Sequence, residues 1–181
     1  AFNIVLLLPK DITDKIIELN NSLKRDYNPR IVLNNENCLP HISLLMGTAL
    51  IKYLPEIKAR LNYVAQKFSS IDLEIIKLDS EDLPAKDRTL KIYGFSLKKS
   101  ELLSKLHESL VDNVKIYLDN RELTEENVFY PEEIDLEDTP WMFPYIKNFI
   151  RNSSYENFNP HITIGDGIID NTDLPIKFKA S

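Results

Sequence analysis

The stretch "LPHISLLMG", residues 39–47, decides how the chain is read, because a strand this apolar does not need a histidine directly after its proline. The phrase returns near the other end as "NPHITIGDG", residues 159–167. Two of the three histidines therefore occupy matched settings, each between a proline and an apolar–hydroxyl–apolar run. In a strand, residues i and i+2 share a face, about 7 Å apart. His41 and Ser43 then lie opposite Ile42 and Leu44, and His161 and Thr163 lie opposite Ile162 and Ile164. Each motif offers one imidazole beside one hydroxyl. A motif that occurs twice, 161 − 41 = 120 residues apart, predicts two related lobes and not a solenoid.

Working outward, Phe2–Leu8 reads as a buried strand ended by Pro9, and "DITDKIIELNNSLKR" carries a helical apolar stripe with Asp11 as its N-cap. "NPRIVLNNENCLP" breaks that pattern before the motif strand His41–Met46. Residues 51–68 read as a helix that tolerates Pro55 only near its first turn. "IDLEIIKLD" and "RTLKIYGFSL" read as strands flanking a loop "SEDLPAKD", and "KKSELLSKLHESLVDNV" as a helix. A short helix from Pro140, interrupted by Pro144, precedes the second motif strand at about 160–164, and "LPIKFKA" closes the chain as a strand. Strict βαβ alternation fails in the middle, which predicts an α+β domain with antiparallel or mixed pairing.

The chain has 181 residues, enough for one domain with a real core, or for two small lobes packed together. Its single cysteine, Cys38, forms no internal disulfide, which suits a reducing, cytoplasmic setting. The apolar opening is short and lacks a basic flank, so it reads as a first strand and not a signal peptide. A net charge of −6 without long basic tracts argues against coating a duplex, where many phosphates must be neutralised. A local pocket for one small phosphorylated ligand is compatible with that charge. No apolar run reaches the roughly 18 residues of a membrane span.

Two imidazoles and two hydroxyls, brought together, suit phosphoryl chemistry without a metal. Serine and threonine hydroxyls donate to non-bridging phosphate oxygens. A neutral imidazole can take the proton of the attacking nucleophile, and a protonated one can give a proton to the leaving oxygen. Zinc normally takes three or four ligands, whereas the H-x-[ST] spacing gives each strand a single good one, so a metal held by His41 and His161 with Asp166 is the weaker reading.

The pair "PHISL" and "PHITI" resembles the two-histidine (2H) phosphoesterase superfamily, whose signature is two H-x-[ST] motifs on strands of a bilobal, pseudo-symmetric α+β fold. The direct match covers two stretches of about nine residues. The resemblance implies two sheets flanking a central cleft with helices outside, His41 and His161 as acid and base, and Ser43 and Thr163 holding phosphate. It implies no metal and no cofactor. The substrate class it implies is a 2′,3′-cyclic phosphate or 2′-5′ phosphodiester on an RNA end or small nucleotide, with 2′-5′ RNA ligation as the reverse reaction. The alternative is a binding module that keeps the cleft without turnover.

The motifs are interchangeable on paper, so either histidine can be the base. The spacing between them is longer than in compact members, which places an insertion at about 113–140 with an acidic, solvated run from Glu125 to Asp138. The chain stops 181 − 163 = 18 residues after Thr163, so either the last lobe is lean or the sequence has been trimmed. A monomer is expected. His107, on a helix with no motif around it, reads as structural. Trp141, Phe143 and Tyr145 read as a hydrophobic patch and, with Tyr93, as weak candidates for stacking a base.

Overall fold

The computed structural model describes residues 1–24, 29, 31–84, 89–118, 141–169 and 176–180. Most of the expected insertion at 113–140, including the run Glu125–Asp138, lies outside the described residues. The chain runs β1 (Phe2–Leu7), α1 (Lys10–Ser22), β2 (His41–Gly47), α2 (Leu54–Ala65), β3 (Ile71–Pro84), β4 (Thr89–Leu97) and α3 (Glu101–Val114). It continues through α4 (Met142–Lys147), α5 (Phe149–Ser153), β5 (His161–Asp166) and β6 (Ile176–Ala180). This is an α+β fold.

Local chemistry sets most of the boundaries. Pro9 has extended backbone and stops β1, while its carbonyl accepts from the N–H groups of Ile12 and Thr13 and opens α1. Asp11 is therefore not the cap; it sits in the first turn, where a carboxylate favours the positive end of the helix dipole. Pro55 lies in the first turn of α2, where its missing N–H has no helical partner to lose. Ser100 caps α3, its Oγ accepting from the Leu103 N–H at 3.2 Å. Pro144 also falls in a first turn, so it does not interrupt α4; the break comes at Asn148. The expected loop "SEDLPAKD" needs correction too. β3 runs on through Pro84, paired with β4 from Asp79↔Gly94 to Pro84↔Thr89. Cross-strand partners there override the weak intrinsic strand preference of Ser80, Glu81 and Asp82.

All six described strands form one antiparallel sheet in the order β1-β2-β5-β4-β3-β6. The two sheets expected from the sequence are thus a single sheet, joined in its middle by one pairing, Ile42 with Ile162. Alternation reports which face of a strand is buried, not which strand lies beside it, so the join was not readable. Ile12 and Ile16 of α1 and Leu103, Leu106 and Leu110 of α3 pack with Ile42, Leu44, Ile162, Ile164 and Phe95 of the sheet. A second cluster gathers Leu45, Ile57, Val111, Val114 and Phe149. Ile42, Ile162 and Ile164 are wholly buried. Burial of each such side chain is worth about 1.5–3 kcal/mol. A one-residue slip would turn these isoleucines out and the histidines in, so the core fixes the register of both motif strands. β1 is the edge strand and half-buried, not the buried strand its apolar run predicts; Leu7 is 50% exposed.

Candidate active site

The single pairing at the centre of the sheet determines the geometry of the site. With Ile42 opposite Ile162 in antiparallel register, His41 falls opposite Thr163 and Ser43 opposite His161. The neighbouring ladders extend this into two rows across five strands. One row reads Lys77, Ser96, His161, Ser43, Val5, and the other Asp79, Gly94, Thr163, His41, Leu7. All four motif residues are half-buried on the face opposite the buried isoleucines. His41 and His161 are diagonal neighbours across the Ile42–Ile162 pairing, a relation that sets residues about 7–8 Å apart, with their Cβ atoms somewhat closer. That spacing admits one phosphoryl group between two imidazoles, with the hydroxyls on the other diagonal.

The two motifs match beyond their sequence. Against Leu6, Val5 and Ile4 of β1, strand β2 presents Ile42, Ser43 and Leu45, skipping Leu44. Against Phe95, Gly94 and Tyr93 of β4, strand β5 presents Ile162, Thr163 and Gly165, skipping Ile164. Each motif therefore carries a β-bulge at the third residue after its histidine. On β5 the bulge is followed by Gly165 at φ 143°, a conformation that side-chain-bearing residues rarely adopt. Gly94 is needed for a different reason, since a Cβ there would stand 3.2 Å from the Ile162 carbonyl oxygen.

Both rings are held the same way. His41 Nδ1 lies 2.7 Å from the Leu39 carbonyl and His161 Nδ1 lies 3.0 Å from the Asn159 carbonyl, in each case across the intervening proline. A carbonyl only accepts, so Nδ1 carries the hydrogen in both rings and the lone pair of each neutral ring lies on Nε2. The turn before His41 is fixed by Asn34, whose Oδ1 accepts from the N–H groups of Glu36, Asn37 and Cys38 at 2.8–3.3 Å.

Sequence reading missed Asn3. Its Nδ2 donates to His41 Nε2 at 3.2 Å and to Ser43 Oγ at 3.0 Å, bridging one whole motif. The available signal was a lone amide in the apolar run "AFNIVLLLP", in alternation with Val5 and Leu7, which pair with Ser43 and His41. A second miss is Ser96 beside His161, whose Oγ donates to Asp79 Oδ2 at 2.7 Å. Asp79 is also bonded to Lys77, and these two bonds hold its carboxyl below the usual range.

His107 is structural, as expected, but it supports the site. Wholly buried on α3, its Nδ1 donates to the Leu44 carbonyl at 2.8 Å and its Nε2 accepts from the Tyr155 N–H at 3.0 Å. Its ring stacks on Phe158 with centroids 3.9 Å apart. Tyr155, at φ 57°, is held in the turn that delivers Asn159, Pro160 and His161. Burial is the main cause that lowers the His107 pKa below its ordinary value. The unfolded chain takes up this proton near pH 6.5 and the folded one only at lower pH. The contribution of neutral His107 is therefore complete above about pH 6.5 and is lost as pH falls below it, by up to about 1.4 kcal/mol per pH unit. Urea unfolding from about pH 7.5 to about pH 5.5 should show a steeper loss of stability in the wild type than in His107→Gln. Identical slopes would contradict this assignment.

Other candidates fall outside the two rows. Tyr93 packs with Phe95 against the main core, on the far side of β4 from Gly94. Tyr145 packs in the second cluster, edge-on to Phe149 at 5.7 Å, and burial raises its pKa. Trp141 and Phe143 are half-buried beside it. Asp166 is wholly buried, and its Oδ1 accepts from the Ile31 N–H at 3.1 Å. Among the described residues, no three histidine, cysteine, aspartate or glutamate side chains gather in a metal-binding group. A cavity of about 420 Å³ lies elsewhere, lined by Asp72, Glu74, Lys98, Lys177 and Lys179. Glu74 there is paired with Lys98 and Lys177, and Asp72 with Lys179, so its carboxylates are neutralised in place and no imidazole or thiol lines it.

No protein-family model matches the chain, and no curated protein matches it. No helix among the described residues is long and apolar enough to cross a membrane.

Proposed function

We propose that the protein is a metal-independent phosphodiesterase of the two-histidine type. It acts on a 2′,3′-cyclic phosphate or a 2′-5′ phosphodiester of an RNA end or small nucleotide. The observation that carries this reading is the duplicated arrangement: two strands with the same bulge, the same Nδ1-to-carbonyl bond and the same imidazole–hydroxyl face, meeting in antiparallel register.

One neutral Nε2 takes a proton from water, or from a ribose hydroxyl, as that oxygen bonds to phosphorus. The protonated Nε2 of the other ring gives its proton to the leaving oxygen as the opposite phosphorus–oxygen bond breaks. Ser43 and Thr163 donate to the non-bridging oxygens and hold the phosphoryl group between the rings. The nearest carboxylate in the two rows, Asp79, is bonded to Lys77 and Ser96, so the donor set at the reacting centre is imidazole and hydroxyl. That set suits proton transfer better than metal ligation.

The bilobal reading of the fold belongs to the same proposal. β1-α1-β2 pairs its two strands antiparallel, and so do β4 and β5, with α3 following β4. We treat these as the cores of two lobes related about the Ile42–Ile162 pairing, with β3 and β6 added to the second.

The test is a panel of 2′,3′-cyclic nucleotides, cyclic-phosphate-ended RNA and 2′-5′ oligoadenylate, each assayed with and without EDTA. Turnover of at least one substrate, undiminished by the chelator, is the expected result. Loss of turnover on chelation would overturn the metal-free mechanism. Binding of a mononucleotide without turnover of any substrate would overturn the enzyme reading in favour of a binding module.

A further inference from the structure

We infer that Asn3 divides the labour between the two histidines, keeping His41 neutral as the base and leaving His161 to act as the acid. This rests on the two-histidine reading above and removes the ambiguity that the matched motifs leave.

Both rings spend Nδ1–H on a backbone carbonyl, so the difference lies at Nε2. His41 Nε2 receives an N–H from the Asn3 amide at 3.2 Å, which requires a lone pair on that nitrogen. A proton placed there would set N–H against N–H. Hydrogen bonding to the neutral form of a group disfavours its charged form. Turning the amide round would bring its carbonyl to His41, but would move the NH₂ to the buried spot where Oδ1 has no partner among the described residues. Two unpaired N–H groups are worse there than one unpaired carbonyl oxygen. The second Asn3 bond, to Ser43 Oγ, has a parallel effect. It occupies an acceptor site on the hydroxyl and leaves the Ser43 O–H free to donate to phosphate.

The other half lacks this device. Asn3 pairs with Met46, five residues beyond His41; the position that pairs five residues beyond His161, at Asp166, is Ile92. Isoleucine donates nothing, and among the described residues none donates to His161 Nε2. The groups facing His41 in the rows are Leu7, Thr163 and Asn3, none of them ionisable. Facing His161 are Ser43 and Ser96, and beyond Ser96 the Lys77–Asp79 pair, whose charges cancel. In these rows the nearest ionisable group to each histidine is the other. Asn3 against Ile92 is therefore the asymmetry that sets the order of protonation. Asn3 is a positioning residue, acting through its bonds to His41 and Ser43.

In the hydrolytic direction, water displaces the Asn3 N–H from the one Nε2 lone pair of His41, which then takes the water proton as the water oxygen bonds to phosphorus. His161 gives its Nε2 proton to the leaving oxygen as that bond to phosphorus breaks. Both rings then return to their starting states by proton exchange with solvent.

The deciding experiment is an NMR titration of the histidine rings in the substrate-free wild type, Asn3→Leu and Asn3→Asp. Each ring is compared with itself across the three proteins. Asn3→Leu should raise the His41 midpoint by about 0.5–1 pH unit, the equivalent of one hydrogen bond, and leave His161 in place. Asn3→Asp, which offers a carboxylate to the same nitrogen, should raise it further; it also serves if the leucine variant folds poorly. A His41 ring unmoved in both variants, or a His161 ring that moves with it, would overturn the inference.

A kinetic arm reads the roles directly. On a nitrophenyl phosphodiester, whose leaving group needs little help from an acid, His161→Ala should recover about tenfold relative to an alkyl ester, and His41→Ala should not. The opposite pattern overturns the assignment. The titration requires no turnover, so failure of the phosphodiesterase reading and failure of the Asn3 inference give different results.

Discussion

Alanine in place of either His41 or His161 is expected to lower kcat by about 10²–10⁴, the loss that follows removal of a general acid or base. Steady-state assays on the best substrate of the panel, with the melting temperature measured alongside, separate this from misfolding. Each ring is half-buried on the sheet face away from the helices and is tied to the protein mainly by one local bond to a carbonyl. Stability should therefore change by no more than about 1 kcal/mol in either variant. The double variant should be little worse than the worse single one, because groups that work as a unit are not additive. Near-normal turnover in either single variant would refute the role of that histidine.

The largest effect on stability is expected at Asn20, which touches no motif histidine. Its side chain, 1% exposed on α1, donates to the Ile164 carbonyl at 2.7 Å and the Ile31 carbonyl at 2.9 Å, and accepts from the Leu33 N–H at 3.2 Å. Ile164 is the residue skipped by the β5 ladder, so its carbonyl sits at the bulge next to Thr163. Asn20→Ala strands up to three backbone groups, at about 1–3 kcal/mol for each one left buried and unpaired. Partial relaxation brings the expected loss to about 3–4 kcal/mol. For a chain of this size that lowers the melting temperature by about 6–16 °C. Calorimetry reads this directly, and a shift within about 2 °C would show that water or a rearranged loop replaces the amide. Activity should fall with stability, because the bulge sets where Thr163 and His161 stand.

These two predictions draw on different levels of legibility. The faces of the motif strands could be read from sequence because period-two alternation is local: Ile42 and Ile162 bury, and His41 and His161 do not. Which strand lies beside which is a long-range fact, decided here by one pairing between residues 120 apart in sequence, and alternation carries no trace of it. Bulges are equally silent, since the skipped Leu44 and Ile164 read as ordinary apolar positions. Asn3 and Asn20 left a faint signal, each a polar side chain in an apolar stripe. Their partners lie up to 144 residues away, at Ile164 in the case of Asn20, so no local rule identifies them. His107 illustrates the converse. An isolated helix histidine is most simply a satisfied core residue, and its two backbone partners and its stacking on Phe158 fit that reading.

The proposed function turns on attack of water on phosphorus between His41 and His161. Phosphorus NMR of the best panel substrate, turned over in heavy-oxygen water, tests it most directly. One monoester product carrying the heavy oxygen on phosphorus is expected, formed by the wild type and lost in both His41→Ala and His161→Ala. A folded wild-type protein that yields no labelled monoester, or equal yields from wild type and histidine variants, would contradict it.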